Sequence, residues 1–418
     1  MLQTIPQQLV ELPQPEEDII FALTARYQSA RQQFQSNALS VEPINLGIGK
    51  YANESGQTPM LRSMKTALHN QLAGRCGDNP TGGYQPILGA EPFRRKVEEL
   101  ILGEALISRA RDSGTVESCQ AIGGTGANFI QGCFLQQLGV KKILLSNPTW
   151  GNHKKIFPFA GISTEMYPYY DSVSGEISFD EMKATFSGLE KGIAINFHGC
   201  CHNPSGADLT QEQWKELAEI LKARESIAVF DVAYAGFGDG FEEDLYSVRH
   251  FVEMGVPTLV AFSFSKIASL YEERLGACLV AFPEGVKEQR KVGGILESII
   301  RPCFSNPPAL ISRAMTEVLS DSALRADWMK ELAELADQMT NGRELLASAF
   351  TEHGISDGGL LKRKGMFAML PLSKKQVSRL EAEEHLYMMA SGRINVAAVK
   401  QANVSAIAER IARVISSS

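Results

Sequence analysis

The chain carries no excess of positive charge. Its 41 Lys and Arg stand against 48 Asp and Glu, a formal net charge of −7 over 418 residues. That excludes a general attraction for nucleic acid or an anionic membrane, so any anionic ligand must be held by locally placed arginines. No apolar run approaches the length of a membrane span. The seven cysteines, Cys76, Cys119, Cys133, Cys200, Cys201, Cys278 and Cys303, are odd in number and scattered, and none has CxxC spacing. This argues against a disulfide framework and for reduced thiols in a cytoplasmic setting. The start, MLQTIPQQLVELPQPEEDII, lacks the basic, apolar pattern of a signal peptide and the Arg-rich, acid-poor character of a transit peptide. No repeat or low-complexity tract is visible.

What remains is an ordinary globular composition, 44% hydrophobic and 21% charged, able to bury a core without a staple or a metal. The length suits two lobes. Residues 1–17 read as an arm, since Pro6, Pro13 and Pro15 oppose regular structure, and a helix is expected over about 17–34. Short apolar runs at 142–146, 192–197, 227–230, 258–262 and 277–282 read as strands. Helical stretches separate several of them. The clearest covers 211–224, where Thr210 and Gln213 form a T-x-x-Q capping box and Trp214, Leu217, Ala218 and Leu221 share a face. Strands without polar alternation, separated by helices, imply an α/β fold: a buried, mostly parallel sheet with helices on both faces. After about Pro308 helical patterns run to about residue 353, then a short apolar segment at 365–370, then more helix. This tail reads as a smaller α+β lobe, which the segment around 43–51 could also join.

Open parallel sheets bind ligands at the carboxyl ends of their strands. After the run at 258–262 comes Ser263-Phe264-Ser265-Lys266, and after 227–230 comes Asp231-Val232-Ala233-Tyr234. The run at 192–197 leads to Asn203 through His198, Gly199, Cys200, Cys201 and His202. That at 142–146 leads to Asn147-Pro148-Thr149-Trp150, and Gly123-Gly124-Thr125 opens a further helical stretch. These ends supply a lysine, a carboxylate, a phenol, an amide, an indole and a Gly-rich helix start. The set matches the needs of pyridoxal 5'-phosphate: an amine for a Schiff base, a carboxylate for the pyridine nitrogen, a stacking face, donors for the phenolic oxygen and backbone N–H groups for the phosphate. A zinc site at His198, Cys200, Cys201 and His202 is not expected, because those ligands are packed too closely for a tetrahedron and no second cluster completes them. The Gly-rich stretch 236–240, GFGDG, is not G-x-G-x-x-G and reads as a loop.

The motifs INLGIG, GGTGA, SNPTWGNH, FHGCCHNPSGADLT, FDVAYAGF, SFSKIASLYEERLGA, IIRPCFSNPP, GMF and ASGRINVA, in this order, resemble the aspartate and aromatic aminotransferases, fold type I of the pyridoxal-phosphate enzymes. The resemblance runs from about Ile44 to the C-terminus. It implies a seven-stranded, mostly parallel sheet in a large cofactor-binding domain at 58–330, with a small domain from 331–418 and part of 1–57. It implies Lys266 as the Schiff-base lysine, Asp231 as partner of the pyridine nitrogen, and Tyr234 and Asn203 as partners of the phenolic oxygen. Trp150 would stack on the ring. Gly124, Thr125, Ser263 and Arg274 would hold the phosphate, and Tyr84 would reach it across the interface of a homodimer. Arg393 would fork the substrate α-carboxylate, Arg301 from the other subunit would meet a side-chain carboxylate, and Gly49 would touch the substrate. The implied reaction is ping-pong exchange of an amino group between aspartate and/or aromatic amino acids and 2-oxoglutarate. Another fold-type I reaction, a lyase or decarboxylase, and a non-catalytic binding protein are the alternatives. Ile267, Ala235, Ser205 and Gly123 depart from common family residues without removing a chemical group. Lys50 and Ala52, near the substrate entrance, bear on specificity.

Overall fold

The computed structural model describes residue 12 and residues 17–53, 56–75, 83–283 and 289–417. Most of the proposed arm at 1–17, and Cys76, lie outside the described residues. Seven strands form the central sheet: β1 (Val116–Ile122), β2 (Lys142–Asn147), β3 (Ser163–Pro168), β4 (Ala194–His198), β5 (Ile227–Val232), β6 (Thr258–Ser263) and β7 (Leu275–Ala281). Their order across the sheet is β1-β7-β6-β5-β4-β2-β3. Only β7 runs against the rest, antiparallel to both β1 and β6. Its amino end therefore lies at the edge where the other strands have their carboxyl ends.

All five expected strands are present, within two residues at either end. They were legible because they are buried throughout: every residue of β4, β6 and β7 is buried. Alternate side chains feed two cores. Leu144, Ile195, Phe197, Phe230 and Phe262 face one layer of helices. Ile143, Leu145, Ala194, Val229, Leu259 and Ala261 face the other. The helix at Gln211–Ala223 has its full capping box, with Gln213 N donating to Thr210 Oγ1 at 3.2 Å and Thr210 N to Gln213 Oε1 at 2.9 Å. The first helix, Ile19–Gln35, starts at Asp18, whose carboxylate accepts from Ile20 N and Phe21 N.

Two strands escape an apolar-run search. β1 (VESCQAI) contains Glu117, Ser118 and Gln120, and each has a partner: Arg94, Glu98 and the Pro308 carbonyl respectively. β3 (STEMYP) is an edge strand with an alternating exposed pattern. The helical patterns expected from 309 to 353 are two helices, Leu310–Ser320 and Ser322–Glu352. Asp321, in an extended conformation, ends the first and caps the second by accepting from Ala323 N and Leu324 N at 2.9 Å.

The small sheets lie in the remaining segments. Ile44–Asn45 pairs in parallel with Leu386–Tyr387, and Phe367–Met369 pairs antiparallel with Arg393–Asn395. The 31-residue helix Ser322–Glu352 runs across residue 330, so the boundary expected there falls inside one continuous helix.

Candidate active site

Strand register brings the site together. His198, the last residue of β4, pairs with Asp231 on β5, and Ser263 at the end of β6 pairs with Gly276 on the reversed β7. Arg274 immediately precedes β7, so it reaches the same edge. Its guanidinium donates to Ser265 Oγ at 3.1 Å and to the Tyr271 carbonyl at 2.8 Å. It also lies over the turn from β1 into the helix Gly123–Gln137. A Cβ on Gly123, where φ is +66°, would stand 2.5 Å from Arg274 Nη2. Glycine adopts that positive φ without strain, and a larger residue would have to push the end of the Arg274 side chain aside.

The edge encloses a cavity of about 150 Å³. Of the thirteen residues singled out from the sequence, ten line it: Gly49, Gly124, Thr125, Trp150, Asn203, Asp231, Tyr234, Ser263, Lys266 and Arg274. Lys266 sits on the short turn Phe264–Ile267, which Trp328 pins by donating from Nε1 to the Ile267 carbonyl at 2.8 Å. The lysine Nζ lies 5.2 Å from the centre of the Tyr234 ring. Burial lowers the Lys266 pKa, against the pull of Asp231 and with the help of Arg274. Burial alone would raise the Asp231 carboxyl, but the His153 hydrogen bond and neighbouring positive charge outweigh it and hold its pKa below the usual value.

Asp231 Oδ2 meets His153 Nε2 at 3.1 Å, whereas Oδ1 is buried without a partner. His153 is itself fully buried, with Nδ1 2.9 Å from Thr149 Oγ1. Neither it nor the cavity-lining His198, Ser265 and Tyr271 was assigned a role from the sequence. His153 lay inside the motif SNPTWGNH, and its place four residues after Thr149 was the available signal. Burial, then His153, pushes the His198 pKa down to about 3, so that ring stays neutral.

Arg393 stands at one side, buried, with its guanidinium 4.4 Å over the Phe367 ring. It donates to Asn203 Oδ1 and to the Gly47 carbonyl, both at 3.3 Å, and its Nε has no partner. No carboxylate among the described residues pairs with it, which removes the ion-pair explanation for this buried charge. Tyr84 and Arg301 are not brought to this cavity. Tyr84 is 92% exposed, and Arg301 is exposed with Nη1 donating to Ser305 Oγ at 2.8 Å.

A larger groove of about 840 Å³, among Tyr170, Gly175, His353, Pro371 and Arg413, holds none of these residues. Cys200, Cys201 and Asp244 place possible metal ligands together. However, the Asp244 carboxylate already accepts from Gly236 N, Gly238 N and Asp239 N at 2.8–3.0 Å, anchoring the loop GFGDG.

The fold and the lysine–aspartate pair at its sheet edge define a fold type I pyridoxal-phosphate enzyme. More narrowly, the chain belongs to the aminotransferase class I and II family, whose profile matches residues 41–411. It is 38% identical over 377 residues to an aspartate aminotransferase of Salmonella typhi, covering 89% of this chain and 93% of that protein. It is 37% identical over 383 residues to an aromatic-amino-acid aminotransferase of Escherichia coli K12, covering 90% and 94%. The crystal structure of an aromatic-amino-acid aminotransferase from Burkholderia pseudomallei, covalently bound to pyridoxal phosphate, superposes with a TM-score of 0.89. That structure is 36% identical, with 97% and 98% of the two chains covered.

Proposed function

We propose that the protein is a pyridoxal-phosphate-dependent aminotransferase that exchanges the amino group between aspartate and/or aromatic amino acids and 2-oxoglutarate. The observation that carries this reading is the buried Asp231 Oδ1, left without a donor in a cavity that also holds a lysine amine. A pyridinium N–H is the donor that atom lacks. The close turn at Gly123–Gly124, with Thr125, Ser263, Ser265 and Arg274 around it, suits a phosphate. Trp150 offers a flat face, and Asn203 and Tyr234 offer hydrogen bonds to a phenolic oxygen. When bound, pyridoxal phosphate supplies an electron-withdrawing ring that makes the α-proton of an amino acid acidic.

The chain's own residues do the rest. Arg393 forks the α-carboxylate, giving its buried charge a partner. Gly49 leaves backbone open to the substrate, with no atom within 4 Å of where its Cβ would be. The Lys266 amine, whose pKa burial lowers so that it more readily stands unprotonated, takes the proton from substrate Cα and carries it across the reacting C–N bond. Asp231 stays ionised and His153 fixes its orientation. The direct test is a coupled assay with glutamate as donor over a panel of 2-oxo acids. Release of carbon dioxide or a β-elimination product, with no amino transfer, would replace this reading by a decarboxylase or lyase.

Two further roles follow from residues this chain keeps outside its own cavity. Exposed Tyr84 and Arg301 are proposed to complete the site of a second copy in a C2 homodimer, the commonest closed assembly. Sedimentation at micromolar concentration is expected to show a dimer. A fully active monomer would refute it. Arg301→Leu is expected to lower kcat/KM for aspartate while sparing phenylalanine and tyrosine. A hydrogen bond to a charged group is worth about 1.5–3 kcal/mol, so the loss is roughly ten- to a hundredfold. An equal fall for both classes would make Arg301 structural. No helix among the described residues is long and apolar enough to cross a membrane, and with the reduced thiols the proposed setting is cytoplasmic, with small molecules rather than nucleic acid as ligands.

A further inference from the structure

The groups assigned to the cofactor and those assigned to the substrate stand on different pieces of chain. Lys266 and Arg274 belong to the segment between β6 and β7. Arg393 lies on the strand Arg393–Asn395 of a two-stranded sheet, and Gly49 lies on the cavity rim at 47–51. On the aminotransferase reading, on which this inference rests, the substrate α-carbon has to stand between the two pieces. The strand fastens the rim: Arg393 donates to the Gly47 carbonyl at 3.3 Å, and the Asn395 amide to the Ile48 and Lys50 carbonyls at 2.8 Å.

A tyrosine joins the two pieces. Tyr271 lines the cavity and lies in sequence between Lys266 and Arg274. Its hydroxyl accepts from Tyr51 N, on the rim, at 3.0 Å. Its carbonyl accepts from Arg274 Nη1 at 2.8 Å. Tyr51 is held as firmly at its own end. Its hydroxyl donates to Gln338 Oε1 and its carbonyl accepts from Thr58 Oγ1, both at 2.6 Å. Neither end of the link is therefore a loose side chain. Burial pushes the Tyr271 hydroxyl pKa up to about 12, so it stays a neutral acceptor near pH 7.

We propose that Tyr271 is a positioning residue: by accepting from Tyr51 N, its hydroxyl sets the distance between the rim and strand that carry Gly49 and Arg393 and the turn that carries Lys266. The α-carboxylate is common to every amino acid and 2-oxo acid, so the effect is shared by acidic and aromatic substrates. It acts on how well the substrate is held, since the proton is moved by Lys266 and the ring charge is met by Asp231.

The test removes that oxygen alone. Tyr271→Phe holoenzyme is mixed with aspartate or with phenylalanine, without a 2-oxo acid, and the half-reaction is followed by the absorbance of lysine-bound pyridoxal phosphate. The half-saturating concentration is expected to rise roughly three- to tenfold, the size of one ordinary hydrogen bond, and by the same factor for both substrates. The rate at saturation should stay within about twofold of wild type, the mark of lost binding rather than lost chemistry. Cofactor affinity should not change. Tyr167→Phe is the control for a missing buried hydroxyl. Tyr167 donates to the Asn196 carbonyl at 3.0 Å and does not line the cavity, so its variant should lower Tm and leave half-saturation at the wild-type value. Wild-type half-saturation in Tyr271→Phe, or a rise confined to one substrate, would overturn the role of Tyr271. So would loss of pyridoxal phosphate, which would make the hydroxyl a cofactor ligand, or a fall in the saturating rate alone, which would place it in the chemistry. Each of these leaves the aminotransferase reading intact. A wild-type holoenzyme that reacts with neither amino acid would overturn both.

Discussion

Replacement of Lys266 by alanine is expected to abolish transamination and to remove the absorbance of lysine-bound pyridoxal phosphate from the purified protein. In its proposed role the amine both anchors the cofactor and moves the α-proton, so the two losses should come together. General acid–base catalysis alone contributes about 10²–10⁴-fold, and the covalent role adds to it, so residual rates should fall by roughly 10⁴-fold or more. The fold should survive. The turn carrying Lys266 is held through its backbone by Trp328, and the strand leading into it is buried throughout. An unchanged far-ultraviolet circular dichroism spectrum beside a colourless, inactive protein is the expected pair of results. Wild-type turnover in this variant would end the aminotransferase reading, because among the described residues no other lysine lines the cavity.

Asp231→Asn is expected to separate binding from rate. The amide fills the space of the carboxylate and can still meet His153 Nε2, now 3.1 Å from Asp231 Oδ2. It cannot carry the charge that keeps a pyridine nitrogen protonated. Removal of one preorganised electrostatic partner costs about 2.7–4 kcal/mol of barrier in comparable sites, a hundred- to a thousandfold in kcat. Cofactor should therefore remain bound, visible in the spectrum, while steady-state turnover drops by that factor. An unaltered kcat would show that Asp231 only holds His153 in place.

These two residues were also the most legible in the sequence, for a physical reason. Asp231 stands near the carboxyl end of β5 and Lys266 just after β6, both strands buried on both faces, and such strands announce themselves as unbroken apolar runs. Asn203 and Trp150 follow runs of the same kind. Arg274 obeys the opposite rule. It precedes its strand, and only the reversal of β7 brings it to the same edge, which no local pattern reveals; family resemblance alone pointed to it. β1 escaped notice because buried Ser118 and Gln120 read as surface residues until their partners Glu98 and Pro308 are seen. His153 was overlooked because its spacing from Thr149 is a weak signal until Asp231, 78 residues away in sequence, faces it at 3.1 Å. Tyr84 and Arg301 illustrate a different limit. Their proposed partner is a second chain, so neither the apolar pattern nor the geometry of one chain brings them to a site.

The side chain of Asn395 joins two tasks that an enzyme could have kept apart. Its amide grips the carbonyls of Ile48 and Lys50, while Arg393, two residues earlier on the same strand, reaches the Gly47 carbonyl. The strand segment Arg393–Asn395 is paired with Phe367–Met369, not with the seven-stranded sheet. The guanidinium proposed to hold the α-carboxylate and the lip of the opening are therefore one mechanical part, mounted on the small sheet. Any tilt of that sheet against β5 and β6 shifts Arg393 and Lys50 in step, and the hydrogen bond from Tyr51 N to the Tyr271 hydroxyl is a tether that such a tilt must stretch or pivot about.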